Sequence, residues 1–197
     1  MRLVLASASP RRQELLDRLR LEFEVRPPDV DESRFPDEAP AAYVERVARS
    51  KAEAMAAAGL MVVAADTVVV HEGRIMGKPG HPEQARAMLR LLQGSVHEVF
   101  TGLAVASWDG GARVRSTVDM AEVEFLPMTE EEIVGYVDSG EPLDKAGGYA
   151  LQGLGGAFVS RVNGSPFTVV GMPIHLLARL VAASGGDIDA FRARVSG

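Results

Sequence analysis

One run of residues limits the fold more than any other. Leu60 to Val70 is almost continuously apolar and rich in valine, and such a run reads as a strand covered on both faces. A strand of this kind belongs in a layered α/β fold, with helices shielding the sheet. A single carboxylate, Asp66, interrupts it. Burying a carboxylate costs several kcal/mol unless it is paired, hydrogen-bonded or bound to a metal. Asp66 therefore either starts a bend or caps a neighbouring element, or it serves a site. At the strand's C-terminal end it would open into the crevice where α/β sheets commonly place ligands.

The rest of the chain alternates apolar strands with amphipathic helices. Leu3 to Ala6 reads as a short buried strand, and Ser9-Pro10 as a helix start with a hydroxyl N-cap and proline at the first helical position. An acidic, proline-bearing loop from Asp29 to Pro40 precedes a helix expected over roughly Ala41 to Ala58, closed by Gly59. His71 to Arg74 reads as a turn into a short strand, and Pro82 to Gln93 as a helix with Ala85, Met88, Leu89 and Leu92 on one side. Two long strands, Val96 to Trp108 and Arg113 to Phe125, are joined by Asp109-Gly110-Gly111. The apolar phase of the second changes between Val118 and Val123, which suggests a bulge near Ala121. Thr129 with Glu132 is a capping box. Ala157 to Gly171 suggests a closing hairpin or crossover, Pro173 to about Ala183 a last helix, and the tail after Gly186 one more short helix. One compact unit over residues 1–197 is the simplest organisation.

Composition narrows the chemistry. With no cysteine, disulfides, thiolate nucleophiles and cysteine-ligated zinc are excluded. A net charge of −6 argues against stable nucleic-acid binding, which needs broad phosphate neutralisation. It leaves room for a small phosphorylated ligand held by a local basic cluster. No apolar run approaches the roughly 20 residues that span a bilayer, and Met1 to Pro10 lacks the apolar stretch of a signal peptide. The expected location is the cytoplasm, with no membrane partner.

Several charged clusters stand out. At about 100° per residue, Val44, Val47, Ala48, Lys51 and Met55 share one helical stripe, with Lys51 near its centre. That lysine either snorkels to an edge or faces a polar site. Ser7-Ala8-Ser9-Pro10-Arg11-Arg12 puts hydroxyls, free backbone N–H groups and two arginines at a strand-to-helix junction, a suitable place for an anion. Gly77-Lys78-Pro79 and Asp144 to Tyr149 add lysines in turns, although neither is a Walker loop. Together the clusters supply basic groups for a polyphosphate, and Glu32 and Asp66 supply oxygen for a divalent metal such as Mg²⁺ or Mn²⁺. His71 and His97 read as strand-end or surface residues, not metal ligands.

Taken in order, these segments resemble the Maf family of nucleotide pyrophosphatases. The matching segments are Leu5 to Arg12, Asp31-Glu32, Ser50-Lys51-Ala52, Ala64 to Val69, Gly77-Lys78-Pro79, His97 with Thr101-Gly102, Asp144 to Gly153, and Val170 to Pro173. Ala150 and Leu151 differ from the Gly and Ile often found there. The resemblance implies an elongated mixed sheet flanked by helices, related to inosine triphosphate pyrophosphatases, with two lobes sharing a core and a cleft between them. The tail after residue 186 carries no matching motif. Homodimers in several members make a homodimer the expected assembly.

Ala65-Asp66-Thr67 and Tyr149 with Gln152 look like the branch acting on dTTP and UTP. The activity implied is metal-assisted attack of water on the α-phosphorus of a nucleoside triphosphate, giving the monophosphate and pyrophosphate. By the same resemblance, Glu32 and Asp66 hold the metal, and Asp66 serves the attacking water. Arg11 and Lys51 grip the triphosphate with help from Ser7 and Ser9, and Lys78 neutralises the leaving pyrophosphate. Thr67, Arg12 and Gln152 read base and sugar, with Tyr149 in the same substrate site. The alternatives are an ITP/XTP house-cleaning pyrophosphatase, or a non-catalytic nucleotide-binding regulator of septum formation.

Overall fold

The computed structural model describes residues 1–193. Among these residues, seven strands form one mixed sheet: β1 (Arg2–Leu5), β2 (Phe23–Val25), β3 (Leu60–His71), β4 (Arg74–Met76), β5 (Val96–Trp108), β6 (Ala112–Phe125) and β7 (Val159–Asn163). Their hydrogen-bonding order is β2-β1-β3-β5-β6-β7, with β4 paired to β3. β1 runs parallel to both β2 and β3, whereas β3–β4 and β6–β7 are antiparallel. Among the described residues, six α-helices accompany the sheet: α1 (Pro10–Arg18), α2 (Pro40–Ala54), α3 (Pro82–Leu92), α4 (Glu130–Asp138), α5 (Pro166–Val170) and α6 (Ile174–Ala183). Among the described residues, no helix is long and apolar enough to cross a membrane.

The chain divides into two compact units. The first comprises residues 1–66, 101–119 and 171–197, and the second residues 67–100 and 120–170. In the first, Val4, Ala6, Val62, Ala64, Ala104 and Ala106 meet Ala48 and Ala52 of α2 in one buried cluster. Small side chains on both surfaces let the helix approach closely. Gly102 is the extreme case, because a Cβ there would overlap the backbone carbonyl of Val44. This gives the Thr101-Gly102 motif a packing role. The tail joins the same unit: the amide of Glu22 donates to the carbonyl of Phe191 at 2.7 Å, and that of Ala193 to Arg20 at 2.8 Å.

The second unit is built around Leu89, Leu92, Val99, Val123, Ile133 and Val137, together with a ring cluster of His97, Phe125 and Tyr149. The capping box of α4 is present, with the Thr129 side chain accepting from the amide of Glu132 and the Glu132 side chain accepting from that of Thr129.

Several local expectations change. Helix α2 ends at Ala54 with Met55 as its cap, short of Gly59, because Gly59 turns the chain into β3 and its carbonyl accepts from the Arg2 amide. Ser9 occupies the N-cap of α1 without a side-chain capping bond; its own amide donates to Ser7 Oγ at 3.2 Å. The segment after β7 is the short helix α5, not a hairpin strand. The register shift found in β6 lies between Glu124 and Phe125, opposite β7. In the tail, a 3-10 turn covers Ile188–Phe191, and the remainder beyond 193 lies outside the described residues.

Candidate active site

Strand and helix periodicity bring the central pair together. Side chains two apart on a strand share a face. Val62 and Ala64 pack in one cluster with Ala48 and Ala52 of α2, so Asp66 is aimed at the same helix. On α2, Lys51 lies on the buried stripe with Val44, Val47 and Ala48. The lysine reaches the carboxylate instead of snorkelling: Lys51 Nζ donates to Asp66 Oδ1 at 2.9 Å, and both residues are buried, 7% and 8% exposed. The same ammonium donates to Glu32 Oε2 at 2.8 Å.

Asp66 does not end its strand, since β3 continues to His71. Its opening comes from the neighbour. β1 pairs with β3 only as far as Leu5 opposite Val63, the amide of Ala6 adds one more bond to the Val63 carbonyl, and the chain then leaves for α1. Asp66 lies just past that departure, at the carboxyl edge of the parallel strands.

The junction between β1 and α1 is held by Arg12. Its Nη1 donates to Ser7 Oγ at 3.0 Å and its Nε to the carbonyl of Gly171 at 2.9 Å. The Val170 to Pro173 segment thus acquires a role that its sequence did not disclose. Burial pushes the Arg12 guanidinium below its ordinary pKa, while the Asp66 and Glu32 carboxylates oppose that shift. Arg12, Lys51 and Asp66 are buried, whereas the Glu32 side chain is half-exposed and Arg11 is partly buried.

Glu32 comes from a loop, which two side chains of α2 hold in place. Tyr43, on α2, donates its hydroxyl to the Glu32 carbonyl at 2.8 Å. Arg46, one turn further on, makes a bidentate pair with Glu38 at 2.7 and 2.8 Å, donates to the Ser33 carbonyl at 2.8 Å, and stacks 4.1 Å from the Phe35 ring centroid. Burial first, then the Asp66 and Glu32 charges, raise the Tyr43 pKa. The available signal was the i, i+3 spacing of Tyr43 and Arg46 on the helix that follows the acidic loop.

Two carboxylates converging on one ammonium fit a divalent cation in donor chemistry. Magnesium commonly takes one or two carboxylates from the protein and completes its shell with water and substrate phosphate. Among the described residues there is no group of three or more His, Asp or Glu that could hold a metal.

The remaining expected residues lie in the second unit. Thr67 follows Asp66 in β3, and Lys78 is exposed in the turn after β4. That turn is tied to the glycine-rich segment, where the Gly147 amide donates to the Gly77 carbonyl at 3.0 Å. Gln152 is exposed. Tyr149 is 5% exposed, and its hydroxyl bonds His97 Nε2 at 2.8 Å. His97 is the second residue of β5, near the strand end, but it is buried, not superficial.

The profile of the Maf-like protein family matches residues 2–184. A relative from Anaeromyxobacter sp. (strain Fw109-5), named dTTP/UTP pyrophosphatase, is 52% identical over 186 residues, covering 93% of this chain and 90% of the relative. A protein of the same name from Desulforamulus reducens is 48% identical over 188 residues, covering 94% and 98%. Among solved structures, a HAM1 protein from Coxiella burnetii aligns with a TM-score of 0.44 at 20% identity, over 77% of this chain and 88% of that one.

Proposed function

The chain belongs to the Maf-like protein family, and we infer on that footing that it is a nucleoside triphosphate pyrophosphatase hydrolysing dTTP and UTP to the monophosphate and pyrophosphate. Relatives that match nearly the whole chain at about half identity carry that name. The single observation that carries the mechanism is the Asp66–Lys51–Glu32 arrangement. A buried ion pair adds little to stability compared with apolar packing. Its presence in an otherwise apolar strand is accounted for by chemistry.

Glu32 and Asp66 would hold the divalent cation; when bound, it supplies charge neutralisation on phosphate oxygens and acidifies water. Asp66 orients the attacking water and takes up its proton. Lys51, held between the two carboxylates, would supply its positive charge to the triphosphate. Arg11, at the positive end of the α1 dipole, supplies further positive potential for phosphate. Arg12 secures Ser7 and Gly171, which keeps that start in place. Lys78 neutralises the departing pyrophosphate, and Thr67 and Gln152 read the nucleotide.

The test is a panel of nucleoside triphosphates assayed with Mg²⁺ or Mn²⁺, with both products identified, for the wild type and for Asp66→Asn. Turnover of dTTP and UTP should exceed that of ITP and XTP, and Asp66→Asn should lower kcat by at least about a hundredfold with a smaller change in KM. Wild-type turnover in Asp66→Asn would remove that residue from the chemical step. Preferential cleavage of ITP and XTP would reassign the specificity.

A further inference from the structure

The segment from Tyr149 to Gly156 contains neither strand nor regular α-helix, only a 3-10 turn starting at Leu154. Its backbone amides need partners from elsewhere. Two side chains supply them. The Tyr136 hydroxyl, at the end of α4, accepts from the Ala150 amide at 3.1 Å and donates to Glu141 Oε1 at 2.8 Å. Glu141 then accepts from the Gly155 amide through Oε1 and from the Leu154 amide through Oε2, each at 3.0 Å. Three amides are thus secured, one before Gln152 and two after it.

The fit is close. A Cβ on Gly155 would overlap the Tyr136 hydroxyl, and one on Gly153 would overlap the Glu141 carboxylate. The glycines around Gln152 are therefore the counterpart of this pair. Lys145 fastens the other side by donating to the Glu141 carbonyl at 2.9 Å while pairing with Asp144. Partial burial of Glu141 raises its pKa, but the Gly155 and Leu154 amides, the Tyr136 hydroxyl and Lys145 outweigh that and hold the carboxyl below its ordinary range. The carboxylate stays ionised at neutral pH, as an acceptor of three donors must.

We propose that Tyr136 and Glu141 are positioning residues for nucleotide selection, acting through the backbone that carries Gln152. The proposal rests on the reading of Gln152 as a nucleotide-selecting residue. Glu141 and Tyr136 act on preference because an exposed side chain on an irregular segment selects only as well as its backbone is fixed.

The experiment measures kcat and KM for dTTP, UTP, CTP and ITP in the wild type, Gln152→Ala, Glu141→Gln, Tyr136→Phe and the double variant Glu141→Gln/Gln152→Ala. Gln152→Ala should compress the preference for dTTP over its competitors by about tenfold. Glu141→Gln should compress it by a comparable factor through KM, with kcat on dTTP within about threefold of wild type. The double variant should lose little beyond Gln152→Ala alone, because both changes remove one function. Tyr136→Phe lacks a single oxygen atom; it keeps the test available should Glu141→Gln not fold, and it should move the preference in the same direction. An intact preference in Glu141→Gln and Tyr136→Phe, beside a compressed one in Gln152→Ala, overturns the positioning role and leaves Gln152 in place. An unchanged preference in Gln152→Ala overturns the assignment of Gln152 and the proposal with it. Losses that simply add in the double variant also overturn the proposal.

Discussion

Replacing His97 by asparagine should flatten the dependence of stability on pH below neutrality. His97 is 2% exposed. Its Nε2 is bonded to the Tyr149 hydroxyl, its Nδ1 has no partner, and its ring meets Phe125 and Tyr149 edge to face at 5.1 and 5.3 Å. Burial, and secondarily the charge of His71, lower its pKa from 6.5 to about 4. The sign follows from which state binds the proton first. As pH falls, the unfolded chain protonates at the ordinary value while the folded chain stays neutral, so the unfolded state gains. The stability that neutral His97 provides is complete above 6.5, declines as pH drops through that value, and is spent once the folded imidazole titrates near 4.

The whole window is worth about 3 kcal/mol, and between about pH 7.5 and about pH 5 the loss is about 2 kcal/mol. The assay is urea unfolding followed by circular dichroism at those two pH values, for the wild type and His97→Asn. Other titrating groups cancel in the difference between the proteins. The variant, less stable at neutral pH because it loses packing, should close its gap to wild type by about 2 kcal/mol at the lower pH. A gap that stays constant across the window would refute the reasoning, since it would mean that His97 does not resist protonation in the folded protein.

Lys51→Met should destabilise the fold by about 3 kcal/mol, because it leaves the buried Asp66 carboxylate without its cation, and adding Asp66→Asn should recover part of that loss; chemical denaturation measures both. Gly102→Ala should cost about 2 kcal/mol by forcing α2 away from the strand beneath it, and it should also reduce turnover because Lys51 moves with the helix. Arg46→Ala should release the loop that carries Glu32, which raises the magnesium concentration needed for half-maximal activity while melting temperature changes little; an unchanged magnesium titration would show that Glu32 needs no such support.

Much of the fold was legible because its signals are periodic. The valine-rich run gave β3, the spacing of Ala85, Met88, Leu89 and Leu92 gave the buried side of α3, and Thr129 with Glu132 gave the start of α4. Lys51 and Asp66 were legible as anomalies, each being a charge at an apolar position, but their meeting depends on the face they share, and no local pattern displays that. The end of α2 is not legible, because alanine and glycine around residues 54–59 carry no strong stop, and a bond from the Arg2 amide fixes Gly59 from a distant strand. Tyr149 enters the substrate site by resemblance alone. That it faces inward depends on His97, distant in sequence. The Tyr136–Glu141 pair left no trace, because its meaning lies in backbone amides that any residue could contribute.

The most direct test of the account is hydrolysis of dTTP in heavy-oxygen water with mass analysis of both products. Attack at the α-phosphorus predicts one labelled oxygen in the monophosphate and none in the pyrophosphate. Label in the pyrophosphate, or release of inorganic phosphate in its place, would contradict it.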